Sequence, residues 1–333
     1  MAHDGIWKEL LELARWAPSP HNIQPWQLRP LSTHEAELLY LPDRLLPDTD
    51  PTGVFTIAGL GIFVEHLAIA ARARGLDLAV DYPSTELDAR LDGPQAFARL
   101  RLEEGQVEDA LGPDLLTARR TSRLPYDGNP VSGELLRELE DLARGYGHTF
   151  SFSSDRATVE WVLGLNCDTM FYDMEDDVAR AEVGRWIRYS GREARRQRDG
   201  FSPEALGFPG PLLWLFVHAR ALFELPLVKQ LIRRRYLGTM RGVRTVGWLT
   251  GPFATPDDAF AAGRLLARLW LTLTKHGVYL HPFGSVITNR RANARLRERI
   301  GLDDGTPWLL VRLGRSAEPP RSLRLETEAL LAA

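Results

Sequence analysis

Between residues 14 and 30 the chain reads ARWAPSPHNIQPWQLRP. Pro18, Pro20 and Pro25 bar a continuing helix, so the stretch is a shaped corner at a helix end. Ser19, His21, Asn22 and Gln24 line that corner with small hydrogen-bonding groups. They suit the polar rim of a bound molecule, and equally an ordinary loop that Trp26 anchors to a core. A second group is basic. Arg119 and Arg123 stand four apart in RRTSRLPY (119–126), and Arg321 and Arg324 close VRLGRSAEPPRSLR (311–324). Planar guanidiniums grip phosphate oxygens two at a time and stay charged when desolvated. Of 41 basic residues only Lys8, Lys229 and Lys275 are lysines, however, so arginine pairs at this spacing also arise by chance.

Other reactive residue types read as structural. Cys167 is the single cysteine, which excludes a disulfide framework and a four-thiolate metal site, and it reads as a small core residue. His276 and His281 lack partners at a metal-ligand spacing, so helix-end and packing roles are expected of them. The acidic run DMEDD (173–177) reads as a solvated face. GLG at 59–61 lacks the third glycine and the preceding strand of a dinucleotide loop, and no Gly-x-Ser-x-Gly elbow is present. No catalytic side chain and no metal site is expected.

The elements that must carry these groups are legible in part. The spacing of Ile6, Leu10, Leu13, Ala14 and Ala17 predicts a helix over 5–17, and further helices are expected at 57–75, ending at Gly75, and at 132–143, capped by Ser132. Others are expected at 178–198 and 255–277. Strands are expected at 36–41, 99–105, 245–249 and 307–314, a long loop at 42–53, and an irregular segment at 200–244. The helices at 57–75 and 255–277 align without a gap, Gly61 on Gly263 and Gly75 on Gly277.

At 333 residues, 44% apolar and 26% charged, the chain can bury one large core or two ordinary ones. A net charge of −3 argues against a general nucleic-acid partner. The most apolar run, 210–228, is interrupted by His218, Arg220, Glu224 and Pro226, so no membrane span is expected, and residues 1–20 lack a secretory pattern. A cytoplasmic location is the expectation.

In combination the motifs resemble the FMN-dependent nitroreductase superfamily. The corner is similar to its Pro-Ser-x-x-Asn-x-Gln-Pro-Trp motif, and residues 119–126 resemble its Arg-Arg-Ser-x-Arg-x-Phe opening, with Thr121 in the serine's place. GVYLHPFGS (277–285) resembles its Gly-Leu-x-x-x-Pro-x-Gly segment, and 311–324 its terminal strand and basic tail. The order is unusual: the corner comes first, no arginine motif precedes it, and no corner follows the arginine motif. Each half keeps what the other lacks, as in a fused pair of subunits reduced to one flavin site, similar to the single-chain, Acg-type branch.

The resemblance implies an α+β nitroreductase-type fold, a central mixed sheet flanked by helices, with two degenerate halves mimicking the family homodimer. Residues 1–110 form the half with the corner, and 111–333 the half with the arginine motif and an inserted lid at about 200–244. It implies an FMN site in which Arg119, Arg123, Arg321 and Arg324 are candidates for the phosphate and Thr121 for phosphate or ribityl oxygens. Ser19 and Asn22 meet the ring's polar rim while Pro18 holds the backbone, and Pro282 and Gly284 bring backbone close to N5. The implied activity is NAD(P)H-dependent reduction of a small nitroaromatic or quinone-type acceptor by a monomer. The alternative is FMN storage behind a lid with little turnover. A membrane-surface helix could also be built from 199–244.

Overall fold

Two runs of the chain follow one plan. The structure, a computed structural model, describes residues 4–105, 109–219 and 225–332. In the first run α1 (Asp4–Ala14) precedes β1 (Trp26–Pro30), β2 (Glu35–Tyr40), α2 (Val54–Arg72), β3 (Leu76–Asp81) and β4 (Gln95–Glu104). After α3 (Pro113–Ala118) the second run begins with α4 (Gly133–Gly145) and β5 (Thr149–Ser153). An insertion follows, with α5 (Arg156–Asp173), α6 (Asp177–Arg185), α7 (Gly191–Gln197), α8 (Pro203–Leu206), α9 (Gly210–His218) and α10 (Pro226–Gly238). The plan then resumes with β6 (Thr245–Thr250), α11 (Pro256–Lys275) and β7 (Tyr279–Pro282). The chain ends with α12 (Gly284–Thr288), α13 (Arg290–Arg299), β8 (Pro307–Gly314) and α14 (Thr327–Leu330).

The strand orders are β1-β2-β4-β3 and β5-β6-β8-β7, so the sheets have the same topology. Both also break register where the second strand of the run meets the last, at Leu38/Leu39 and at Leu249/Thr250. The α+β architecture is therefore built twice. The mixed sheet takes the form of two antiparallel four-stranded sheets; among the described residues, parallel pairing occurs as the isolated bridges Leu28–Leu331, Thr121–Leu280 and Ile187–Phe201.

Helices α2 and α11 join the two runs. Helix α2 is apolar all round, so no face of it can be left in water, and Thr56 to Ala71 are all buried. It is long and apolar enough to cross a membrane, but 89% of it is covered by the rest of the protein. The capping box of Thr255 and Asp258 starts α11. At the crossing, a Cβ on Gly61 would lie 2.3 Å from Phe260 O, and one on Gly263 would lie 2.0 Å from Ala58 O. The aligned glycines therefore make reciprocal contacts, each against the residue three before the other, as across a two-fold axis. Gly75 and Gly277, both left-handed, follow the ends of these helices.

Some expected boundaries move. The helix expected at 178–198 is two helices, because Trp186 and Arg188 exchange backbone hydrogen bonds with Phe201 and the Arg188–Asp199 ion pair ties the break down. Strand β1 begins at Trp26, inside the stretch read as a corner, and α5 was not foreseen. The segment at 200–244, expected to be irregular, contains helices α8 to α10; its residues 220–224 lie outside the described residues. The acidic run is no free face: Asp173 accepts from Asn289, Asp176 caps α6 and Glu175 pairs with Lys229. Cys167 is a buried core residue, as expected.

Candidate functional site

The corner at 18–25 is held in costly backbone. His21, Asn22 and Gln24 have φ of 48°, 57° and 49°, a left-handed region that non-glycine residues seldom occupy and that clusters at functional sites. What stabilises it is an unusual number of ties. Asn22 Nδ2 donates to Gly200 O (3.0 Å) and Leu323 O (3.1 Å), joining the insertion and the C-terminal segment to the corner. Gln24 donates to Arg198 O and accepts from Leu325 N (2.8 Å), and Ser19 Oγ accepts from Gln24 N (2.9 Å). Gly59 on α2 makes room, since a Cβ there would lie 3.3 Å from Pro20. Asn22 Oδ1 and His21 Nδ1 are enclosed without partners, and Ser19 Oγ, which accepts from Gln24 N, keeps its hydroxyl proton to donate.

Beside the corner lie three guanidiniums. Arg119 and Arg324 are buried. Arg119 donates to Trp16 O (3.1 Å) and stacks 4.6 Å above the Trp270 ring, while its Nε and Nη1 are enclosed without partners. Arg324 donates to Ala17 O (3.1 Å) and Leu323 O (3.0 Å). Arg321 donates to Thr117 O and lies 4.2 Å above Trp16. Among the described residues none of the three pairs with a carboxylate; Glu318 goes to Arg120 instead (2.6 Å). Burial lowers all three pKa values, Arg324 to about 9 and Arg119 well below its ordinary value, aided by repulsion among Arg119, Arg321 and Arg324 for the buried pair and by Arg120 for Arg321. Nearby His66 on α2, lowered to about 3 by burial and by Arg119, is a neutral ring whose Nε2 is also enclosed without a partner.

Arg123 belongs to a different part of the site. It donates to Ala205 O (3.2 Å), lies 5.3 Å above Phe201, and its charge is felt by His21 and His281. The phosphate candidates read from the sequence thus divide three and one.

Ser19, His21, Asn22, the four arginines and Trp270 border one cavity of about 950 Å³, which His66 does not line, within the ~300–1,000 Å³ of small-molecule sites. Each residue singled out from the sequence lines it: Pro18, Ser19 and Asn22 at the corner; Arg119, Thr121 and Arg123; Pro282 and Gly284; Arg321 and Arg324. A Cβ built on Gly284 meets nothing, and its φ is ordinary, so neither packing nor backbone demands a glycine there. The insertion supplies an apolar wall that includes Phe208, Leu213, Phe216 and Ile232. Sequence reasoning passed over Trp270 and gave His281 a packing role, yet both line the cavity. His21, read there as part of the corner, also lines it. Trp270 is marked only by packing. No cluster of metal-ligating residues occurs among the described residues.

No family model matches the chain. It is similar to the Probable NAD(P)H nitroreductase PigM of Serratia sp. (strain ATCC 39006), 25% identical across 91% of this chain and 86% of that protein. Acg of Mycobacterium tuberculosis, also named as an NAD(P)H nitroreductase, is 30% identical over 39% of this chain and 38% of its own. The chain is a relative of curated NAD(P)H nitroreductases. An uncharacterised protein of that bacterium, Rv3127, matches 92% of this nitroreductase relative at 24% identity and is covered over 86% of its length. Solved structures are more distant: the FMN-dependent nitroreductase NfnB of Mycobacterium smegmatis has a TM-score of 0.38 at 15% identity, covering 61% of this chain and 86% of that one.

Proposed function

We propose that the cavity binds FMN and serves NAD(P)H-dependent reduction of a small electron-poor acceptor, a nitroaromatic or a quinone. The observation that carries this reading is the carboxylate-free trio Arg119, Arg321 and Arg324, with two orphaned N–H groups on Arg119. Burying such charge is costly unless an anion arrives to match it. A phosphate of about −1.5 to −2 charge is that anion. At the corner, Asn22 Oδ1 can only accept and the Ser19 hydroxyl can donate, a pair suited to the N–H and C=O rim of a flavin ring. Thr121 has a hydroxyl for ribityl or phosphate oxygens, and Gly284 leaves room where a side chain would enter the cavity. Bound there, FMN supplies a hydride acceptor and donor at N5. The chain's own part is to orient the ring and keep bulk water away.

The described part of segment 200–244, lining the cavity with apolar side chains, acts as its cover. That wall also favours a second reading, in which the protein stores FMN and turns over slowly. Steady-state NAD(P)H oxidation with several acceptors separates them. Turnover well above that of free FMN supports the reductase, tight FMN without turnover supports storage, and failure to take up FMN removes both.

A further inference from the structure

His281 is locked in one tautomer. Arg312 Nε donates to its Nδ1 at 3.1 Å. A guanidinium N–H can only donate, so Nδ1 carries the lone pair and the ring's single proton is on Nε2. The two residues are direct partners in the β7–β8 pairing, so the register of the sheet holds them together. Arg312 is fully buried and equally fixed, donating to Thr239 O (2.8 Å) and Ser122 O (3.1 Å) with its charge 4.7 Å from the Tyr126 ring. Among the described residues no acceptor takes the Nε2 proton of His281, which lines the cavity. Burial opposes a second proton, and so do the cations Arg312 and Arg123; Tyr126 and Tyr236, whose burial makes them hold their protons more tightly than usual, add no negative charge to favour one.

We propose that His281 is a permanently neutral donor whose Nε2–H bonds an oxygen of the cavity's occupant that gains negative charge on reduction, with Arg123 and Arg312 supplying a positive field behind it. The proposal rests on the redox reading above. It involves a hydrogen bond and no proton transfer. That oxygen belongs either to the flavin ring or to the acceptor. A fixed donor aimed at developing charge is worth roughly 10²–10³ in rate, because it needs no reorganisation.

Two-bond ¹⁵N correlation spectra of histidine-labelled, flavin-free protein read the tautomer directly. An Nε2–H pattern unchanged from pH 5 to 8 is expected, and an Nδ1–H or doubly protonated ring overturns the proposal independently of FMN. In FMN-loaded protein, His281→Leu removes the donor, while His281→Gln keeps one and still accepts from Arg312. If the flavin is the partner, the Leu variant has a lowered flavin midpoint potential and a shifted visible band, and Gln reverts both. If the acceptor is the partner, the flavin is unchanged, kcat/KM for acceptors falls roughly a hundredfold, and Gln recovers much of it. A folded Leu variant with unaltered potential, spectrum and kcat/KM overturns the proposal. Failure of the unaltered protein to bind FMN removes the redox reading and the proposed partner together, and the flavin-free spectrum tells that failure apart from a wrong tautomer.

Discussion

Arg119 makes opposite demands on stability and binding. Its guanidinium is buried against backbone and aromatic faces, with two N–H groups unused. Changing both Arg119 and Arg321 to Ala should weaken FMN binding by about 1.5–3 kcal/mol for each lost charge-assisted contact, the exposed Arg321 giving the smaller share. Arg119→Met should at the same time raise the melting temperature of the flavin-free protein, since it removes an unmatched buried charge. Flavin titration by fluorescence and thermal melts check the pair; an FMN affinity unchanged in the double variant would remove the phosphate reading. Asp50 provides a pH signature. Burial raises its pKa to about 6 although it accepts from Phe55 N, Thr56 N and Thr56 Oγ1. The folded state therefore holds this proton more tightly than the unfolded chain does, and unfolding releases it between about pH 4 and pH 6. This group's contribution to stability falls as pH rises through that window. Asp50→Asn should flatten that part of the pH–stability curve in urea titrations and stabilise the protein at pH 7 by up to ~3 kcal/mol.

At the scale of elements, the α2–α11 crossing is as close as backbone permits. Gly61→Ala or Gly263→Ala puts a methyl group 2.3 or 2.0 Å from a carbonyl of the other helix. Each should cost about 1–3 kcal/mol or more, because the obstacle is backbone and cannot rotate away. Chemical denaturation measures it, and a neutral outcome at both sites would contradict the reciprocal contact. The proposed cover is the opposite kind of element, with Leu227 and Leu231 on α10 and Trp214 on α9 largely exposed while Leu213 and Ile232 are buried. Replacing residues 212–235 with a short Gly/Ser linker should leave FMN bound and speed the reduction of bulky acceptors. A shortened protein that keeps its flavin and gains no reactivity would contradict the role of a cover; loss of vesicle binding in the same variant would favour a membrane-facing surface.

At the scale of the whole molecule the two sheets repeat one strand order, and the proposed site lies on one side of that pair. In the alignment that sets Gly61 on Gly263, Arg264 and Arg268 stand on α11 where Ile62 and His66 stand on α2. Those arginines are neutralised: Glu65, almost fully buried, takes Arg264 (2.8 Å) and Arg268 (2.9 Å), and Asp109 takes Arg268 (2.6 Å) and Arg72 (2.7 Å). On the proposed reading, internal ion pairs fill the place of a second flavin, whereas among the described residues Arg119, Arg321 and Arg324 pair with no carboxylate. One FMN per chain and a monomer are the expected result. Sedimentation equilibrium followed at the flavin absorbance tests this, and two flavins per chain would contradict the fusion.

The corner motif, the arginines at 119–123 and 321–324, the capped helix at 132 and the paired glycines were legible from local sequence, because proline, glycine and capping chemistry act over a few residues. From them followed the superfamily, the doubled plan and the ten residues around the cavity. Local sequence could not show which arginines share an end of the cavity, because Arg119 meets Arg321 and Arg324 only when the C-terminal segment crosses back to the first run and Leu331 pairs beside Leu28. Nor could it show that Asn22 spends both amide hydrogens on Gly200 and Leu323, or that His281 is set by Arg312, 31 residues away. Those choices depend on strand pairing and on which carboxylates lie within reach. Both are long-range properties, decided only when the sheets register and the two central helices meet.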